Sequence, residues 1–142
     1  MRNKIVLLII TTCIMTVNGQ KQNPLIVEKL LMTDSTSLGQ EIQYPTSGQA
    51  EVTVQRITFP PGASTGWHKH NIPVFSYIIQ GELTVETEDH KILRFKENTS
   101  FSESLNTYHN GTNKGNKDLI VIAMYMSAVG EKLAIHKDGD EH

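Results

Sequence analysis

Imidazole is the side chain best suited to holding a transition metal at neutral pH, and this 142-residue chain has six histidines. His68 and His70 flank Lys69 in the run Gly62-Ala63-Ser64-Thr65-Gly66-Trp67-His68-Lys69-His70. In an extended strand both histidines share one face, about 6.5 Å apart at Cα, and Lys69 points to the other. Both rings can then reach one ion at roughly 2.0–2.1 Å. His109, in Tyr108-His109-Asn110-Gly111-Thr112-Asn113, adds a third imidazole if its strand crosses opposite. Two histidines two apart also occur on solvated strand edges, so the pair alone does not specify a metal. His90, in the charged turn Glu88-Asp89-His90-Lys91, and His136 and His142, in a polar tail, read as solvated.

Strands must carry these side chains. Val52, Val54, Arg56 and Thr58 alternate with Thr53, Gln55, Ile57 and Phe59 before Pro60-Pro61-Gly62 ends the run. Further strand-like runs cover residues 74–80, 82–86, 91–95, 100–103 and 119–126, separated by turns at Gly81, Glu88-Asp89, Asn98 and Lys114-Gly115-Asn116. No downstream segment longer than about ten residues keeps a 3.6-residue apolar period. The pattern predicts an all-β sandwich or barrel over residues 51–130, preceded by an arm at 20–50. A polar tail follows at 131–142, frayed from His136 onward.

The first nineteen residues read differently. Arg2 and Lys4 precede an apolar run over residues 5–15, then Thr16-Val17-Asn18-Gly19-Gln20, the layout of a secretory signal peptide cut after Gly19. The apolar run is about half of what a spanning helix needs, so no membrane association is expected after cleavage. Ile10-Thr11-Thr12-Cys13 loosely resembles a bacterial lipobox, which makes lipidation at Cys13 the alternative to cleavage after Gly19. Cys13 is the one cysteine of the chain, so no internal disulfide can form and cleavage removes thiol chemistry. A hydrophobic share of 38% is too high for a disordered chain, and a net charge of −2 argues against a nucleic-acid partner.

Gly62, His68, His70 and Gly81 stand in the register of the first motif of the cupin superfamily, and His109 and Asn113 match the second. The chain therefore resembles the cupins from about Leu31 to Met126. It is most similar to small single-domain members with a GWHxHxxPVxxY-like first motif and an NTWH-like second one, here residues 66–77 and 106–109. The resemblance implies a double-stranded β-helix, or jelly-roll barrel, and often a homodimer in which the arm adds a strand to its partner's sheet edge. It also implies a metal held by three histidines and one glutamate. That glutamate should fall at position 74 or 75, which hold Val74 and Phe75, and the second-motif Pro and Gly positions hold Ser104 and Asn106. The expected site is therefore His68, His70 and His109 alone.

Three neutral imidazoles leave a divalent ion its full charge, which strengthens anion binding and lowers the pKa of bound water. Such a set suits Zn, Fe, Cu or Ni. Glu103, six residues before His109, faces either the barrel or solvent; Tyr77 and Tyr108 are candidate phenol donors, and Trp67 a rim or packing residue. No catalytic residue is assignable. The leading expectation is a secreted or periplasmic metal-binding cupin, an oxygenase acting on a small anionic molecule. The alternatives are a non-catalytic module that binds a small ligand, and an extracellular structural protein whose histidines are relics.

Overall fold

The computed structural model describes residues 25–137. Residues 1–19, read above as a signal peptide and including Cys13, and His142 lie outside them. The described residues form nine strands and no helix: β1 (Ala50–Phe59), β2 (His68–Lys69), β3 (Val74–Gln80), β4 (Glu82–Thr87), β5 (Ile92–Lys96), β6 (Ser100–Ser102), β7 (His109–Asn113), β8 (Leu119–Ala128) and β9 (Ile135–His136). They make two antiparallel sheets, ordered β1-β8-β3-β6 and β5-β4-β7-β2-β9. The alternating pattern predicted an all-β sandwich or barrel, and these two sheets are the jelly-roll arrangement that the cupin resemblance implied.

Alternation decides which side chains fill the space between the sheets. On β8, Leu119, Val121, Ala123 and Tyr125 are buried, while the residues between them are partly exposed. Phe59, Ile78, Leu83, Val85, Phe101, Leu119 and Val121 make one apolar cluster. Ile72, Val74, Ala123 and Tyr125 make a second. Gly81 turns β3 into β4 at φ 86°, and a side chain there would meet the Leu119 Cα at 3.2 Å, so glycine is required twice over. Buried Asn113 ties the far end of β7: its amide donates to the Phe59 and Lys117 carbonyls, both at 2.8 Å, and its Oδ1 accepts from Gly115 N–H at 2.9 Å.

Two segments outside the main strands dock on the barrel, and the second corrects the expected fraying from His136. Within the arm, residues 33–42 form a strap on the barrel, where the Gln40 amide donates to the Leu105 carbonyl (2.6 Å) and to Thr107 Oγ1 (3.1 Å). Gln40 Oε1 in turn accepts from Leu105 N–H at 2.9 Å. The tail does not fray at His136. Ile135 and His136 pair with Lys69 and His68, and Lys137 N–H donates to the Trp67 carbonyl. The backbone groups of short β2 would otherwise lie at a sheet edge, which gives this polar segment its reason to dock.

Candidate metal centre

β2 and β7 run antiparallel with His68 directly opposite His109, which brings their rings to 4.5 Å between centroids. His70, two residues on, shares that face at 4.9 Å from His68 and 5.3 Å from His109. All three are buried. Each ring is aimed by its Nδ1: to the Gly66 carbonyl at 3.0 Å for His68, the Leu133 carbonyl at 2.6 Å for His70, and the Thr107 carbonyl at 2.9 Å for His109. A carbonyl oxygen only accepts, so Nδ1 carries the proton and Nε2 is left with its lone pair. Ser104 Oγ also lies 3.0 Å from His109 Nδ1. Asn106 adopts φ 53°, the left-handed conformation in which asparagine is a common substitute for glycine. The two altered second-motif positions therefore keep the turn and gain a contact to the ligand ring.

The expectation of a three-histidine site is corrected by Glu103. Its backbone N–H donates to the Val74 carbonyl at 2.9 Å, because β6 pairs with β3 with Phe75 opposite Ser102. The carboxylate thus enters from the ladder neighbour of position 74, where the motif places its own glutamate. Ser76 Oγ donates to Glu103 Oε1 at 2.5 Å, leaving Oε2 at 3.3 Å from His70 Nε2 and 3.4 Å from His109 Nε2. The ligating atoms of His68, His70, Glu103 and His109 all lie within 4.8 Å of one another. Four atoms bound at about 2.1 Å to one ion stand roughly 3–4 Å apart, so small side-chain shifts close the set. Among the described residues the Nε2 atoms of His70 and His109 are buried with no hydrogen-bond partner, a need that a bound cation would meet. The four residues fit a divalent transition metal.

Residues 55–125, half of the chain, match the family model described as a cupin domain. The chain belongs to that family. A search of the curated proteins found no match. Among solved structures, this cupin is similar to a cupin domain from Bordetella pertussis Tohama I, with a TM-score of 0.50 and 23% identity, covering 61% of this chain and 91% of that one. It is also similar to a DMSP lyase from Ruegeria pomeroyi DSS-3 (TM-score 0.53, 13% identity, 64% of this chain and 45% of the lyase). A third likeness is to an oxalate decarboxylase from Lactobacillus farciminis solved as a formate complex (0.55, 17%, 63% and 27%). This cupin spans less than half of either enzyme, and these likenesses show the fold.

The electrostatics of the cluster favour a cation. Burial is the largest influence on His68 and holds its pKa down to about 4, with His109 and His70 adding to the effect. Burial also works against a charged His70, but the pull of Glu103 and the Leu133 carbonyl outweighs it and raises the pKa. For Glu103, burial is outweighed by His109 and His70, and the carboxyl stays well below the ordinary carboxylate range. An anionic oxygen and three imidazoles converge on one point.

The site borders a cavity of about 50 Å³ walled by Phe59, Leu83, Val85, Val121, Thr65 and Tyr125 among others. Tyr77 and Tyr108 are not in it. Tyr77 Oη donates to Asn98 Oδ1 at 3.0 Å, and Tyr108 lies under the ammonium groups of Lys69 and Lys137, at 4.9 and 5.4 Å. Trp67 packs under Lys137 at 5.7 Å, and Lys69 points away from the cluster as alternation requires. His136 is exposed, its ring 5.7 Å from that of His68. The phenol that does face the site is Tyr125, held up to about 12 by burial first and Glu103 second. Its inward position comes from the alternating burial of β8; residues 119–126 are apolar throughout, so the sequence does not say which of them face inward.

Proposed function

We propose that this cupin is a secreted or periplasmic metal-binding protein whose centre takes a small anionic molecule. The observation that carries the reading is the pair of buried, unpartnered Nε2 atoms beside a carboxylate oxygen and a third imidazole. A divalent ion bound there would supply a Lewis-acid centre with positions left for a small ligand. The protein's own part is to fix the three ring tautomers, hold one carboxylate oxygen with Ser76, and exclude bulk water with an apolar wall. Oxygenation is the reaction we propose for this setting, supported by the enclosed apolar cavity. A non-catalytic binding role is favoured by a different observation: among the described residues, every carboxylate and imidazole at the cavity is committed to the cluster.

Elemental analysis tests the reading. One equivalent of zinc, iron, copper or nickel, lost in both His68→Ala and His109→Ala, supports it; no metal after add-back overturns it. Dioxygen uptake on addition of small carboxylates separates the oxygenase from the binding module. Export is proposed from the pattern of residues 1–19, and mass spectrometry of exported protein beginning at Gln20 checks it.

We also propose a homodimer. The outer face of β1-β8-β3-β6 carries exposed Val52 and Val54 beside a groove of about 600 Å³ walled by Leu30, Met32, Ile42, Phe75, Tyr77 and Met124, among others. Leu25, Ile26 and Val27 are 92%, 89% and 87% exposed and find no apolar cover among the described residues. A second copy supplies both halves, each arm covering the other's sheet face.

A further inference from the structure

Tyr125 stands at the cavity with a polar group that no other described residue uses. It is 8% exposed and faces His70 edge-on, with ring centroids 5.8 Å apart. Its hydroxyl makes no hydrogen bond among the described residues. The other neutral polar side chain on the wall is already committed: Thr65 Oγ1 donates to the Gly66 carbonyl at 3.0 Å and accepts from Gly111 N–H at 2.9 Å. Among the described residues no lysine or arginine lines the cavity. A ligand there meets the metal cluster, one free hydroxyl and hydrocarbon. About 50 Å³ has room for only a few water-sized groups, which limits the ligand to a handful of heavy atoms.

Resting on the metal centre proposed above, we infer that Tyr125 is the ligand-recognition residue of this cupin. Its O–H donates to the second oxygen of a short-chain monocarboxylate whose first oxygen is held at the His68–His70–Glu103–His109 cluster. The short apolar body lies against Phe59, Leu83 and Val85. No bond is made or broken by Tyr125; its contribution is to select and orient the ligand. A neutral hydroxyl suits a carboxylate already neutralised at one end, and a single donor suits a ligand with one oxygen to spare.

The test uses the whole protein loaded with cobalt(II), as wild type and as Tyr125→Phe, which keeps the ring against His70. Metal content and melting temperature are measured first, then acetate is titrated against the visible cobalt bands. Both proteins should hold one equivalent of cobalt and melt alike, and acetate should bind the variant about ten- to a hundredfold more weakly, the loss of one hydrogen bond to a charged acceptor. Thiocyanate, which has no oxygen to offer the hydroxyl, should bind both equally. Equal acetate affinity in the two proteins overturns the role of Tyr125. Acetate that leaves the wild-type bands unmoved overturns the ligand class. A wild type that takes up no cobalt overturns the metal centre itself, and this inference with it.

Discussion

Ser76 decides which oxygen Glu103 presents. Its hydroxyl occupies Oε1, so Oε2 alone faces His70 and His109. Ser76→Ala should therefore keep the fold and weaken metal affinity by about ten- to a hundredfold, the usual cost of removing a group that orients a ligand; competition with a chromophoric chelator measures it. The rings also set the pH response. His68, with its pKa near 4, is already neutral above that pH and costs no proton on metal binding. His70, whose pKa is raised, must give up a proton to bind. Metal affinity should thus climb with pH through the range where His70 titrates, above its ordinary 6.5, with about one proton released per ion, as calorimetry in buffers of different ionisation enthalpy would show. The three histidines were legible in the sequence because two share a strand and the third sits in its own motif. Glu103 was not, because its approach depends on β6 lying beside β3, a pairing no local pattern states.

At the scale of elements, the site hangs on its edges. β9 contributes two residues of strand, yet the segment leading into it supplies the Leu133 carbonyl that fixes His70. Ending the chain after Gly130 should leave the circular dichroism of a β-barrel and reduce metal affinity by about ten- to a hundredfold, because His70 then loses its orienting acceptor. The strap acts on the other side. Gln40→Ala removes three hydrogen bonds to the loop before His109 and should cost about 1–3 kcal/mol by urea unfolding, with a smaller effect on metal content. β1 and β4 could be read from alternation, and β3 and β8 from largely apolar runs bounded by turn residues. β2 and β9 have two residues each, too few for a period to register, and β7 reads His-Asn-Gly-Thr-Asn, with no apolar side to give it away. The elements that build the site are thus the ones whose residues are chosen for chemistry rather than for packing.

At the scale of the whole molecule, the described residues leave the outer face of β1-β8-β3-β6 partly uncovered. Removing residues 25–32 should turn a dimer into a monomer in sedimentation, leaving metal content unchanged; a full-length chain that sediments as a monomer would sink the pairing we propose. The same sheet has a consequence in time. Among the described residues β1 pairs only with β8, Phe59 meeting Leu119, so about sixty residues separate the two sides of that ladder. At roughly 5–20 residues per second, a ribosome needs about 3–12 seconds to make the partner once β1 has emerged. For that interval Ile57 and Phe59 have no ladder to belong to, and a chaperone that holds the nascent chain would find a foothold there.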